Sequence, residues 1–247
     1  MWDSRAPLVS RRTVGVHPAP PRPHSEDLGA VGAMRKLSRE AQRRSQGLLV
    51  FLLILTECTA GSAAVSPGEP RVVVVGDSIT EADSPDFDAG DIGPGSWAAQ
   101  ADKSGAAVVG GWAHAGATTA DMLAGLRPRN PARTDVLVLM AGNNDVDQHV
   151  PAPLIEENLR RIAARVPAQR VVLSTLAPEN AVATAVQQVN SQLPALARAE
   201  GWCLVDPMRA IRAPDGKYLP GMTSDGVHPT LRAARLIALA LQPALTG

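Results

Sequence analysis

Short runs of apolar residues recur along the chain from residue 72 onward, and longer stretches of mixed apolar and polar residues separate them. The run Val72-Val73-Val74-Val75 shows no alternation, which is typical of a strand buried on both faces of a parallel sheet. Gly76 ends this run, because glycine lets the backbone turn sharply. Comparable runs predict four further strands, at 106–109, 135–140, 170–173 and 202–205.

The stretches between these runs have helical character. They predict helices at 97–103, 120–125, 153–166, 180–200 and 231–241. Residues able to cap a helix precede three of them: Ser96, Thr118 or Thr119, and Thr230. We expect Pro194 to bend its helix or to divide it in two. Five short strands that alternate with helices predict an α/β fold, with helices on both faces of one parallel sheet.

The first 64 residues differ in composition from the rest. Residues 1–33 are rich in proline, arginine and polar residues and show no periodicity, which predicts disorder. Met34 opens a positively charged segment, and an apolar run and then small residues up to Ala64 follow it. This order is typical of a secretory signal peptide. We therefore expect residues 1–64 to be a disordered extension plus a signal peptide at about 34–64. Residues 65–247 then form a single domain that is secreted or held in the cell envelope.

Two alternatives remain open for the apolar run of this leader. A membrane anchor needs about 20 apolar residues, and Glu57 interrupts the run well before that length, so no stable span is expected after cleavage. Lipidation at Cys58 is the other alternative, because Leu55-Thr56-Glu57-Cys58 resembles a bacterial lipoprotein box. That box has a small residue where Glu57 stands. If Cys58 leaves with the signal, we expect Cys203 to be a buried free thiol.

Charge and composition limit the classes of partner that the sequence predicts. The whole chain is neutral, but residues 65–247 hold 15 basic and 19 acidic residues, a net charge of −4. A mildly acidic body has no electrostatic footprint for nucleic acid. Acidic residues recur between 81 and 91 without the spacing of a calcium loop, so we expect a solvated loop there. No metal or cofactor is predicted.

Residues with catalytic potential follow the predicted strands. Ser78 comes directly after the first strand, where ligands bind in open parallel sheets. His228 follows the last strand, and a carboxylate three residues before it, Asp225, can curl back to its Nδ1 and leave Nε2 facing outward. Each of these residues, taken alone, also fits a purely structural role, such as forming a turn. His114 and His149 are expected in loops or in a pocket wall.

Four short sequence motifs, found in this order along the chain, are more specific evidence than any one of these residues alone. They are Gly76-Asp77-Ser78-Ile79-Thr80, Ala115-Gly116-Ala117-Thr118-Thr119, Gly142-Asn143-Asn144-Asp145 and Asp225-Gly226-Val227-His228-Pro229. With them the chain resembles the SGNH hydrolase superfamily, the GDSL-type esterases and lipases, from Arg71 to about Leu241. The resemblance implies a three-layer α/β/α fold with a five-stranded parallel sheet of the flavodoxin-like type. An α/β-hydrolase elbow would instead have glycine at position 80, where this chain has threonine.

The resemblance also implies an activity and a set of site residues. It implies a serine ester hydrolase in which Ser78 is the nucleophile, His228 the base and Asp225 the residue that orients the base. The oxyanion hole would consist of the backbone N–H groups of Ser78 and Gly116 and the side-chain amide of Asn144. A small-molecule, lipid or sugar ester would be the substrate. Three alternatives stay open: a polysaccharide O-deacetylase, a thioesterase, and a binding module that keeps the fold without catalysis.

Overall fold

The computed structural model describes residues 68–103, 105–126 and 134–247, and the predicted extension and signal peptide lie outside these ranges. The described residues form five strands: β1 Arg71–Gly76, β2 Ala107–Ala113, β3 Val136–Met140, β4 Arg170–Ser174 and β5 Cys203–Val205. All neighbouring strands are parallel, in the order β2-β1-β3-β4-β5. This order is that of flavodoxin-like sheets, which confirms the predicted fold.

Helices connect the strands and cover both faces of the sheet. Those in the described ranges are α1 Ser78–Glu81, α2 Trp97–Asp102, α3 Thr119–Gly125, α4 Asn143–Asp147, α5 Ala152–Arg165, α6 Ala183–Asn190, α7 Leu193–Glu200 and α8 Leu231–Thr246. α2 and α8 pack on one face, while α3, α5, α6 and α7 pack on the other. Within these ranges, no helix has the length and apolar character that crossing a bilayer requires.

The two cores explain the unbroken valine run of β1. Val72 and Val74 are buried in the core beneath α2 and α8. Val75 is buried in the opposite core, beneath α3 and α5, and Val73 packs against that core. Successive side chains of a strand point to opposite faces, so a strand with a core on each side needs apolar residues at every position.

The predicted helix starts are close to the observed ones, but α8 continues to Thr246, five residues past its predicted end. The side-chain oxygens of Ser96, Thr118 and Thr230 each accept a hydrogen bond from the first turn of α2, α3 and α8. The predicted helix at 180–200 is divided in two, and Pro194 lies in the first turn of α7. Proline is tolerated there because the N–H it lacks would have no partner within the helix.

Strand β2 differs from its prediction, because it runs through a glycine pair at which the sequence suggested an end. Gly110 and Gly111 have φ angles of +95° and +153°, and the pairing of β1 with β2 shifts register between Val72 and Val74. A Cβ at position 111 would lie 1.9 Å from the backbone oxygen of Val74. Glycine at this position allows the two strands to approach each other while β2 continues to Ala113.

The substitution Gly111→Ala is therefore expected to weaken the fold strongly. The added methyl group overlaps the β1 backbone, and we expect the free energy of unfolding to fall by about 3 kcal/mol or more. Gly201→Ala is the matched control, because Gly201 also has a positive φ (+68°) but nothing lies within 4 Å of its added Cβ. That change should cost about 1 kcal/mol. Urea denaturation of both variants measures the difference, and equal losses would contradict the close approach.

The prediction for Cys203 is corrected by the structure. Cys203 is disulfide-bonded rather than a free thiol, and the described residues contain no free cysteine. The expectation of a free thiol assumed that Cys58, the one other cysteine of the sequence, is removed with the signal peptide. Cys58 lies outside the described residues.

Candidate active site

The candidate site lies at the carboxyl edge of the sheet, beyond the ends of β1 and its neighbouring strands. The chain leaves β1 for β2 on one side and returns to β3 on the other, so the strand order reverses at β1. Such a switch point opens a crevice outside the carboxyl ends of the strands. Ser78 follows β1, Gly116 follows β2 and Asn144 follows β3, so three predicted site residues come from three neighbouring strands.

A chain of hydrogen bonds joins the predicted nucleophile, base and carboxylate. His228 Nε2 lies 3.0 Å from Ser78 Oγ, and His228 Nδ1 lies 2.7 Å from Asp225 Oδ2. A carboxylate only accepts hydrogen bonds, so Nδ1 carries the hydrogen and donates to Asp225. Nε2 of the neutral ring then accepts from the Ser78 hydroxyl. The structure thus brings together residues that are 150 positions apart in the chain.

The spacing Asp-x-x-His is explained by the second oxygen of Asp225. Asp225 Oδ1 accepts hydrogen bonds from the backbone N–H groups of Val227 and His228, both at 2.8 Å. Thr223 Oγ1 donates to the same oxygen at 3.1 Å. The bond from the His228 ring, followed by these N–H donors, lowers the pKa of Asp225 well below its usual range. The carboxylate is therefore charged at neutral pH, and it can stabilise a cationic imidazole.

Two residues that the sequence analysis did not single out brace this turn. The Tyr218 hydroxyl donates to the backbone oxygen of Val227 at 2.9 Å, and the backbone N–H of Asn180 donates to the oxygen of Gly226 at 2.8 Å. Asn180 Oδ1 in turn accepts from the backbone N–H of Tyr218 at 2.9 Å. A cleft of about 480 Å³ lies beside the turn, lined by residues 180–181, 218–221 and 223–227. Asn180 lies beyond the carboxyl end of β4. Because ligands bind beyond the carboxyl ends of strands in open parallel sheets, the argument that pointed to Ser78 also applies to Asn180.

Asn144 and Gly116 are neighbours at the other side of the crevice. Asn144 Nδ2 donates to the backbone oxygen of Ala117 at 3.0 Å, and Ala117 follows Gly116 in a turn that gives this glycine a φ of +75°. The amide of an asparagine has two hydrogens, and this bond uses one of them. The other hydrogen is available to a ligand. The neighbouring Asn143 has a different role, since its side chain bonds to the backbone of Ala177.

Helix α4, which carries Asn144, is held by buried polar contacts on both sides. On the side of α3, the Asp145 carboxylate accepts from Thr119 N at 2.8 Å and from Thr119 Oγ1 at 2.6 Å. Burial raises the pKa of Asp145, and the two bonds from Thr119 oppose this shift. On the side of β4, the Asn143 amide donates to Ala177 O at 3.1 Å and to Glu179 Oε2 at 3.5 Å. These contacts fix the helix relative to β4 and α3.

Two further carboxyl groups are buried near the crevice. Asp77 caps α1 by accepting from the backbone N–H of Ile79 at 3.0 Å, and burial raises its pKa to about 7. Glu179 is 3% exposed, and burial together with the carboxyl of Asp147 raises its pKa to about 7. Perturbed carboxyl groups of this kind concentrate at functional sites. Glu179 was also missed, although it too lies beyond the end of β4.

His114 and His149, the other histidines of the described residues, form hydrogen bonds outside this chain. His114 Nε2 lies 3.2 Å from Asp88 Oδ2, and the His114 ring packs against Trp112 with its centroid 4.3 Å away. His149 bonds through Nδ1 to the backbone oxygen of Asp147. Among the described residues, no group of three or more histidine, cysteine or acidic side chains has an arrangement that could hold a metal ion.

Comparison with known proteins decides the family. The sequence profile of the GDSL-like lipase/acylhydrolase family matches residues 74–236, more than half of the chain. The chain belongs to the GDSL-like lipase/acylhydrolase family. The matched range includes all four motifs on which the resemblance to GDSL-type enzymes was based, from the start of the site at β1 to the turn that holds His228.

Solved structures show the fold of the GDSL family over most of the chain. A GDSL-like lipase from Bacteroides thetaiotaomicron matches with a TM-score of 0.57 at 22% identity, over 79% of this chain and 96% of that one. An acetylxylan esterase from Geobacillus stearothermophilus matches with a TM-score of 0.59 at 21% identity, over 72% of this chain and 95% of that one. At these identities the likeness is one of fold. No curated protein matches the chain.

Proposed function

We propose that this GDSL-family chain is a serine ester hydrolase that cleaves carboxylic esters through an acyl-enzyme. The observation that carries the proposal is the unbroken hydrogen-bond path from Asp225 through His228 to Ser78. A serine is a weak nucleophile on its own and needs an adjacent base that is itself held in one orientation. Both conditions are met by contacts of 3.0 Å or less.

In the proposed reaction, Ser78 Oγ attacks the ester carbonyl carbon while His228 Nε2 takes the hydroxyl proton. Asp225 holds Nδ1 and stabilises the cationic ring that results. The tetrahedral intermediate collapses, His228 gives its proton to the leaving alcohol, and Ser78 is left acylated. A water molecule, deprotonated by the same imidazole, then attacks the acyl-enzyme. The acid is released as the imidazolium returns this proton to Ser78 Oγ.

The negative charge that develops on the carbonyl oxygen needs hydrogen-bond donors. We propose that the backbone N–H groups of Ser78 and Gly116 and the side-chain amide of Asn144 supply them. Such donors are already in position before the reaction, so they stabilise the transition state without reorganisation. The bond from Asn144 to Ala117 supports this role, because it fixes the amide beside Gly116.

The sequence and the site leave the acyl and alcohol groups of the ester open. One of the solved structures that share the fold is an acetylxylan esterase, so O-deacetylation of a polysaccharide is the second candidate. The direct test is to measure the release of nitrophenol from 4-nitrophenyl esters of increasing chain length, together with the release of acetate from acetylated xylo-oligosaccharides. Hydrolysis of any of these esters supports the proposal. A correctly folded protein that cleaves none of them would contradict it.

Removal of the Asn144 amide tests the oxyanion hole. We expect Asn144→Ala to lower kcat by about 10²–10³-fold, or about 2.7–4 kcal/mol, with little change in KM. The effect falls on kcat because the donor acts on charge that exists only in the transition state. Gln148→Ala, at an exposed position just after α4, is the control and should keep the original kcat. A tenfold rise in KM at constant kcat would show that Asn144 binds the ground state instead.

A further inference from the structure

Residues 86–91 form a tight turn against β2, the strand at one edge of the sheet, and this segment is called the edge turn below. It is closed at its ends, where Asp86 N donates to Asp91 O at 3.2 Å and Asp91 N donates to Asp86 O at 2.9 Å. Phe87 is 3% exposed and belongs to the core beneath α2 and α8. The acidic segment that the sequence predicts to be a solvated loop is therefore anchored in the core.

Two glycines bring the edge turn into close contact with the backbone of β2. Gly110 has a φ of +95°, and a Cβ at this position would lie 2.7 Å from the backbone oxygen of Phe87. Gly90 has a φ of +89°, and its Cβ would lie 3.3 Å from the backbone oxygen of Val109. The edge turn thus rests directly on the strand, and its backbone fixes the place of Asp88.

Asp88 contacts β2 where the strand ends and residues 114–117, the Gly116 turn, begin. Asp88 Oδ2 lies 3.2 Å from His114 Nε2, and Asp88 Oδ1 accepts from the backbone N–H of Ala113 at 3.4 Å. Because a carboxylate only accepts hydrogen bonds, His114 Nε2 carries the hydrogen and donates it to Asp88. One side chain of the edge turn therefore binds both the last residue of β2 and the first residue of the Gly116 turn.

The Gly116 turn is held at both of its ends. The backbone N–H of Ala117 donates to His114 O at 3.2 Å and closes the turn. At its last residue, Ala117 O accepts from Asn144 Nδ2 at 3.0 Å. At its first residue, the His114 ring donates to Asp88. The contact with Asp88 is thus the counterpart, at the opposite end, of the bond from Asn144.

We propose that Asp88 is a positioning residue that acts through His114 and holds the Gly116 turn, so that the Gly116 N–H is in place for the oxyanion. The proposal rests on the proposed ester hydrolysis, since it needs this N–H to act on an oxyanion. Asp88 itself does not touch the substrate. Exposed ion pairs stabilise a fold little, in part because two mobile side chains must be ordered. Here the edge turn has already fixed the backbone of Asp88, so less freedom is lost when the contact forms.

The variant Asp88→Ala tests the proposal through the split between kcat and KM. It removes both acceptors and leaves the backbone contacts of the edge turn intact. We expect kcat for 4-nitrophenyl acetate to fall about 10-fold with little change in KM, because a donor displaced by less than 1 Å acts mainly in the transition state. Asp102→Ala, at an exposed position at the end of α2, is the control and should keep the normal kcat. An Asp88→Ala variant with the normal kcat would overturn the proposal.

Two substitutions of His114 separate the hydrogen bond from the bulk of the ring. Glutamine offers an N–H donor in place of Nε2, whereas alanine offers none. We expect His114→Ala to lose as much kcat as Asp88→Ala, and His114→Gln to retain most of it. The double variant Asp88→Ala/His114→Ala should lose no more than either single variant, because both changes break the same contact. Losses that multiply in the double variant would overturn the proposal.

Hydrogen exchange at the backbone N–H of Ala117, followed by NMR, tests the held turn without reference to activity. This N–H exchanges when its bond to His114 O opens. We expect Asp88→Ala to speed its exchange about 3–10-fold, since two contacts of the turn are lost, while amides of the buried strand β3 exchange as before. Unchanged exchange at Ala117 would overturn the proposal. Faster exchange in a protein that cleaves no ester would support the role of Asp88 in holding the turn and reject the proposed function instead.

Discussion

Replacing Ser78 by alanine is expected to lower kcat for a short-chain ester by about 10⁶-fold, which is the largest effect that any single substitution in this chain should have. The variant loses the oxygen that attacks the carbonyl, while the oxyanion donors and the fold remain. Because Ser78 Oγ bonds only to His228 among the contacts of the site, its removal should leave the melting temperature nearly unchanged. The measurement is the hydrolysis rate of 4-nitrophenyl acetate by the purified variant.

Ser191→Ala provides the control for this experiment. Ser191 is exposed and bonds through Oγ to the backbone oxygen of Gln188, and we expect its removal to leave kcat unchanged. A Ser78→Ala variant that turned over the ester within tenfold of the normal rate would mean that the hydroxyl has no part in the chemistry. The hydrogen bond to His228 would then be a structural contact.

Replacing Asp225 by asparagine is expected to lower kcat by about 10⁴-fold. The side-chain oxygen of asparagine can still accept from the backbone N–H groups of Val227 and His228, so the turn should persist. The amide nitrogen, however, would face His228 Nδ1 and donate to it. The ring would then carry its hydrogen on Nε2, which points at Ser78, and could not accept the hydroxyl proton.

The matched control for Asp225→Asn is Asp215→Asn, because Asp215 is exposed and accepts from a nearby backbone N–H group, that of Lys217. We expect this variant to keep the normal kcat. The tautomer change in Asp225→Asn can be observed by ¹⁵N NMR of the labelled imidazole, independently of the rate. A variant with the normal tautomer and normal kcat would show that Asp225 serves only to shape the turn.

The fold was predictable because local signals and the tertiary environment agree. The valine run of β1 needs apolar residues at every position since it has a core on each face, and the caps at Ser96, Thr118 and Thr230 act as their residue types suggest. Strand β2 was less predictable. Gly110 and Gly111 are typical strand ends by composition, and only the close approach to Val74 explains why the strand continues through them.

The candidate site was predictable for the residues whose type and position are typical of a catalytic role. Ser78, His228 and Asp225 were found from their order and their places after strands, and the structure brings them into contact. The short helices α1 and α4 were not predicted, because four or five residues are too few to show periodicity. The brace from Tyr218 to Val227 and the buried carboxyl of Glu179, which Asn143 contacts, were missed because no sequence pattern marks such tertiary contacts.

The central claim is that one imidazole activates one serine hydroxyl at the carboxyl edge of the sheet. Labelling of the purified protein with a fluorophosphonate probe, followed by mass spectrometry of its peptides, tests this claim most directly. We predict a covalent adduct on Ser78 in the unchanged protein, and its loss in His228→Ala under the same conditions. An adduct on another serine, or labelling of Ser78 that does not depend on His228, would contradict it.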